Sequence, residues 1–137
     1  MQTITEKNKQ AVTRFNQEFV IEGKMESFKE LVADDVINHA APPGSSTGPD
    51  GMIHFIQNIL KAGFPDLQVA ILDQIAEGDK VTSRKEFYGT HTGELMGIPP
   101  SNKKVTIKVI DIIRLRDGKY IEHWGISNFA DILAQIS

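Results

Sequence analysis

Cysteine is absent from the 137 residues, so a disulfide framework, a thiol nucleophile and a thiolate metal site are all excluded. A one-signed charge is also absent: 15 Lys and Arg stand against 18 Asp and Glu, for a net charge of −3. The basic residues are dispersed, and "SNKK" at 101–104 is too short for a polybasic patch, so no nucleic-acid surface is expected. No apolar run approaches the roughly 20 residues of a membrane span. The opening "MQTITEKNKQ" is polar and lacks the apolar core of a signal peptide. These absences point to a soluble, cytoplasmic protein with no membrane partner. Several motifs are missing too. There is no H-x-x-x-H or H-E-x-x-H spacing, no G-x-S-x-G, no P-loop and no dinucleotide fingerprint, so neither a metal nor an organic cofactor is expected.

What remains is ordinary globular material, 40% hydrophobic and 24% charged, long enough to bury a core. No repeat or linker divides it, and residues 1–137 read as a single domain. Ala11, Val12, Phe15 and Phe19 recur at helical spacing, with Gly23 as the stop. "MESFKELV" reads as a short second helix, "DDVINHA" as an extended piece and "APPGSSTG" as a loop. Pro49 and Asp50 open a third helix that Gly63 and Pro65 end. The period then changes to two. Residues 67–90 read as two strands turning at "EGDK", and 104–127 as two more turning at "DG". "FADILAQI" closes the chain as a short helix. Helices followed by a strand meander predict an α+β fold with helices over one face of a curved sheet.

The most informative strand is 105–115. Val105, Ile107, Val109, Asp111, Ile113 and Leu115 share one face. Asp111 is the single polar group in that row. A lone buried carboxylate costs several kcal/mol, and the expected response is a raised pKa, which suits proton transfer near neutrality. Three alternatives stand beside this reading: a pairing with arginine, a bond to a neighbouring backbone group, or a bulge that turns Asp111 outward. Of the four histidines, at 39, 54, 91 and 123, His123 lies in the last strand and His39 follows Asn38 at the end of the extended piece. Either could add a proton donor or acceptor to a cavity, with a satisfied structural histidine as the alternative. Tyr88 and Trp124 could line a pocket or serve a core or dimer interface.

"FPDL" at 64–67, "EGDKV" at 77–81, "GTHTGELMGIPPS" at 89–101 and "IDIIRLRDGKYIEHWG" at 110–125, with the opening helix, resemble the SnoaL-like polyketide cyclase family. The likeness runs over residues 7 to 135. It implies a cone-shaped, curved mixed or antiparallel sheet, an α+β barrel of the nuclear-transport-factor-two-like, ketosteroid-isomerase-like kind. The sheet would wrap around a deep hydrophobic pocket under three N-terminal helices. It also implies a cofactor-independent acid/base enzyme acting on a carbonyl-containing apolar small molecule, a cyclase of aldol type or an isomerase, working as a homodimer paired through the open sheet face. The family's aspartate falls at Gly125, which has no side chain to carry a proton; a histidine of the family falls at Asp111 and its pocket asparagine at Asn38. The expected site is therefore Asp111, His123 and His39 for catalysis, with Asn38, His91, Tyr88 and Trp124 around the substrate. The glycine at 125 leaves open a non-catalytic binding or dimerisation module that kept the fold. For "GTHTGELMGIPPS" the resemblance implies a connection near the pocket mouth, in which His91 either touches a ligand or serves the architecture.

Overall fold

The computed structural model describes residues 2–137. The first helix, Ile4–Arg14, begins where the Thr3 hydroxyl accepts the backbone N–H of Glu6, and it continues through Phe15–Ile21 in wider, π-type turns. Gly23, at φ +72°, breaks it, because only a residue without Cβ takes that conformation freely. Met25–Leu31 is the second helix. The third spans residues 49–63, opened by Pro49 in its first turn and widened over His54–Leu60. Phe129–Ile136 is the last.

Five strands, β1 (Val32–Asn38), β2 (Gln68–Glu77), β3 (Lys80–Thr90), β4 (Lys104–Arg116) and β5 (Lys119–Ser127), form one sheet in the order β1-β5-β4-β3-β2. β2 to β5 run antiparallel, and β1 pairs with β5 in parallel. The β4–β5 turn sits at Asp117–Gly118 with φ of +53° and +76°, the two left-handed positions that a tight hairpin requires. The mixed sheet and its helices agree with the α+β expectation. The barrel does not: β1 and β2 lie at opposite edges and do not pair, so the sheet stays open.

The helices cover one face, with Phe15, Phe19, Phe28, Leu60, Phe64, Val81, Ile107, Ile113, Leu115 and Tyr120 at its core. Each such side chain contributes about 1.5–3 kcal/mol by leaving water. The alternation read in β4 holds: Val105, Ile107, Asp111, Ile113 and Leu115 are buried, whereas Ile110 and Ile112 are exposed on the other face. Register shifts fall between Val32 and Ile37 in β1, between Ile71 and Asp73 in β2 and where Arg114 and Leu115 of β4 face Glu122 and Tyr120 of β5, away from Asp111. Among the described residues no helix is long and apolar enough to cross a membrane.

Candidate functional site

Asp111 faces inward and is 2% exposed, as its position among apolar neighbours predicts. It is not alone there. Its cross-strand partners are Ser83 on β3 and Gly125 on β5, and the diagonal neighbours on the same face, two residues along, are Lys85 and His123. Lys85 Nζ lies 2.9 Å from Asp111 Oδ2, and His123 Nε2 lies 3.3 Å from the same oxygen. His123 Nδ1 is 2.7 Å from Asn38 Oδ1, since Asn38 on β1 is the register partner of His123. Lys85 Nζ also donates to Asn16 Oδ1 at 3.2 Å, and Asn16 is itself fixed by donating to the Val12 carbonyl. A polar diagonal thus crosses four strands, Lys85–Asp111–His123–Asn38, and Asn16 ties it to the widened first helix.

This arrangement reverses the expected pKa. Burial alone would raise the Asp111 carboxyl, but the Lys85 charge, the His123 hydrogen bond and charge, and the Lys85 hydrogen bond outweigh it and hold the group down to about 2. Of the alternatives considered for Asp111, a cationic partner is the one present, supplied by lysine and not arginine. The same carboxylate, together with complete burial, pushes Tyr120 well above the ordinary phenol range, burial being the larger cause.

The proton inventory follows from the donors. Asn38 Oδ1 accepts the Ala40 N–H, so the oxygen is the atom facing His123, and Nδ1 must donate to it. Nε2 faces a carboxylate, which only accepts. Both ring nitrogens of His123 thus stand within hydrogen-bond reach of an oxygen, Asn38 Oδ1 on one side and Asp111 Oδ2 on the other. Asp111 Oδ1 and the Ser83 hydroxyl are buried without a partner. One carboxylate oxygen is thus free on the concave face, next to a one-fifth exposed His123 side chain. Half-buried Phe87 and Val109 flank Lys85.

Gly125 lies opposite Asp111 on this face. A Cβ there would sit 3.3 Å from Asp111 Cβ and 3.3 Å from His123 Cε1, so a side chain at 125 would stand between the two groups.

The other expected site residues lie elsewhere. His39 follows Asn38, and chain alternation puts it on the outer side, where Nε2 bonds Glu122 Oε2 at 2.9 Å and the ring stacks on Trp124 at 4.9 Å. The His39 bond, and then that of Arg114, lower the Glu122 pKa. Trp124 also receives Lys80 over its ring. Tyr88 is on the outer face, donates to Glu86 and lines a surface hollow of about 370 Å³ with Asp66, Gly89 and Lys104. A second hollow of about 400 Å³ lies beside Asp34, Asp35 and Arg116. Neither includes Asp111. His91 is fully buried; its Nδ1 accepts the Ser101 N–H at 3.1 Å, and its backbone closes on Lys103 and Asn102. It clips the 91–103 loop together. That loop is seated on the third helix by Leu95 and by the Gly93 N–H bonded to the Gly63 carbonyl.

Lys85, Asn16 and Ser83 were not among the expected site residues. The signal existed: Val81, Ser83, Lys85 and Phe87 form an inward row whose lysine has the wrong polarity for a core, one strand from a lone aspartate.

The family's model matches residues 10–136. The chain belongs to the SnoaL-like polyketide cyclase family. It is 26% identical to the nogalonic acid methyl ester cyclase of Streptomyces nogalater over 118 residues, which is 83% of this chain and 86% of that one. Among solved structures, IdmH of Streptomyces antibioticus is 31% identical with a TM-score of 0.82, over 93% of this chain and 96% of its own. A SnoaL-like protein from Jannaschia sp. CCS1 is 26% identical with a TM-score of 0.85, over 100% of this chain and 96% of its own. Membership confirms the resemblance read from the sequence and the curved α+β sheet it implied, though not a closed barrel.

Proposed function

We propose that this SnoaL-like chain is a cofactor-independent acid/base catalyst of the aldol-cyclase type, acting on an apolar polycarbonyl small molecule. The observation that carries the reading is the buried carboxylate with one partnerless oxygen, Asp111 Oδ1, in contact through Oδ2 with His123, which Asn38 holds from its other side. In the proposed cycle Asp111 Oδ1 takes the proton from a carbon between two carbonyls. The enolate carbon then forms the new C–C bond to a second carbonyl, and the protonated Asp111 returns its proton to the resulting alkoxide, so the cycle closes without a net change. His123 positions the carboxylate through its 3.3 Å contact with Oδ2. Asn38 holds the His123 ring, and His39 takes no part. Pre-folding the substrate adds the proximity term, which reaches about 7–11 kcal/mol in favourable cases.

The test is deuterium uptake at the acidic carbon of a 1,3-diketone, followed by turnover of nogalonic acid methyl ester, the compound named in the Streptomyces nogalater relative. Asp111→Asn and His123→Gln should each slow exchange by about 10²–10⁴-fold. Exchange that survives both substitutions would remove the pair from the mechanism.

A second reading, a binding module without turnover, is favoured by Gly125 and by the Lys85 pairing that makes Asp111 a weak base. It requires ligand capture with no exchange by the wild-type protein. Dimerisation through the outer sheet face fits either reading. Ile75 and Ile126, 70% and 75% exposed, stand there beside Ile110 and Ile112. Sedimentation should show a dimer, and Ile126→Lys should convert it to a monomer.

A further inference from the structure

Asn16 lies in the buried stripe of the first helix, among Val12, Phe15, Phe19 and Val20, and is 3% exposed. A buried amide is costly unless both of its ends are bonded. Here they are: Nδ2 donates to the Val12 carbonyl at 2.9 Å, and Oδ1 accepts from Lys85 Nζ at 3.2 Å. The amide cannot be turned round, because a carbonyl only accepts and an ammonium only donates. The first helix therefore presents a fixed oxygen to Lys85.

Lys85 does not choose a side of Asp111 by itself. An ammonium is a compact charge on a flexible stem, and it can bond one carboxylate oxygen or sit between the two. It lies on Oδ2 at 2.9 Å, and Oδ1 is buried without a partner. The neighbours of the carboxylate do not enforce that choice. Its register partners are Ser83 and Gly125; the glycine has no side chain, and the Ser83 hydroxyl is itself unpartnered. His123 approaches Oδ2 as well, so it competes for that oxygen and leaves Oδ1 unguarded. The Phe87 ring, 5.3 Å from Nζ, accepts from no particular direction. The remaining polar contact of Nζ is Asn16 Oδ1.

We infer that Asn16 is a positioning residue: through Lys85 it decides which oxygen of Asp111 is capped by a cation and which stays open. This rests on the acid/base reading above, in which Oδ1 is the proton acceptor, and deepens it by naming the residue that keeps that oxygen available. Without the Asn16 oxygen, Nζ has a donor to place, and Asp111 Oδ1 is a buried acceptor that lacks one. Leaving both unmade is costly, so Nζ moves to straddle the carboxylate. A cation over both oxygens weakens Asp111 as a base and covers the lone pair that would meet the carbon proton. Asn16 touches no reacting atom and acts on the base from the far side of the lysine.

Asn16→Leu keeps the volume and removes both bonds. Its crystal structure should show Nζ within hydrogen-bond distance of Oδ1. Deuterium uptake by 1-phenylbutane-1,3-dione should slow about tenfold or more through kcat, with KM unchanged, in line with one hydrogen bond to a charged group. In a Lys85→Met background the same substitution should change exchange by about twofold or less, because its effect passes through the lysine. Nζ remaining on Oδ2 alone in Asn16→Leu overturns the inference. So does an equal loss in both backgrounds, which marks a purely structural role, and so does an unchanged exchange rate once Nζ has moved. If the wild type shows no exchange, the acid/base reading falls, and the place of Nζ in Asn16→Leu alone decides whether Asn16 sets the lysine. Should Asn16→Leu not fold, the isosteric Asn16→Asp decides. A second carboxylate on Nζ draws the cation off Asp111, so the Asp111 carboxyl, followed by carbon-13 NMR, should titrate about one unit or more above its wild-type value. An unchanged titration overturns the inference.

Discussion

Removing Lys85 and Asp111 one at a time and then together tests the core of the site without any substrate. The pair lies at 2.9 Å with side chains 9% and 2% exposed. Lys85→Met leaves a buried carboxylate facing only His123, and Asp111→Asn leaves a buried ammonium facing an amide. Breaking a buried pair from one side costs about 3–5 kcal/mol, a large part of the roughly 5–15 kcal/mol that holds a domain folded. The double substitution leaves no unpaired charge between them, and methionine fills much of the lysine's volume, so its cost should fall well below the sum of the singles. The expected coupling is about 2–3 kcal/mol, at the upper end of contacting pairs. Urea unfolding at pH 7, followed through the single tryptophan, Trp124, reads this directly. With a slope of about 1.5 kcal/mol per molar, typical of small proteins, each single variant should lose about 2 M or more in midpoint, and the double should regain part of it. Costs that add to within about 0.5 kcal/mol would refute the ion pair as the organising contact of the site.

Other expectations concern acid, glycine and the loop. Asp111 has a folded pKa near 2, below its ordinary 3.8. Its contribution of about 2 kcal/mol is therefore present above 3.8 and lost as the pH falls toward 2. Between pH 5 and 2 the wild type should lose that much more stability than Asp111→Asn, and parallel curves would contradict the pairing. Gly125→Ala should cost less than about 1 kcal/mol, since its nearest contacts are at 3.3 Å. Gly125→Asp should fold and alter the pH profile of exchange; loss of folding would show that the backbone requires glycine there. Gly93→Ala would place a Cβ 1.9 Å from the Ala62 carbonyl oxygen, so thermal unfolding should show a loss of about 3 kcal/mol or more. A melting temperature within a few degrees of wild type would mean that the loop does not lean on the third helix.

The elements were legible because their signals are local. Alternation marked β4, left-handed turn residues marked the hairpin at Asp117–Gly118, and Pro49 and Gly23 marked helix ends. Asp111 was legible for the same reason, as one wrong-polarity residue in a periodic row. Its pKa was not, because Lys85 lies on another strand, and register, which periodicity does not supply, brings the two together. Asn16 was hidden in a helix face that reads as an ordinary amphipathic stripe. His39 was misplaced because alternation could not be continued safely past the end of β1: one residue beyond Asn38 the side chain passes to the Trp124 side of the sheet. The loop 91–103 looked like a mouth because glycine and proline are common there, yet its histidine is buried in its own turn.

The parallel pairing of β1 with β5 bears on how the protein is made. On the ribosome the strand bearing Asn38 emerges before the other four and has no sheet neighbour until β5 follows it out. Lys85 and Asp111 can meet as soon as β3 and β4 pair, but His123 joins them only when β5 follows. A nascent chain stopped just after the Asp117–Gly118 turn would therefore carry the Lys85–Asp111 pair without His123, and an edge strand with nothing to dock on. The order of strands in the sheet, not their order along the chain, thus decides when these side chains come together.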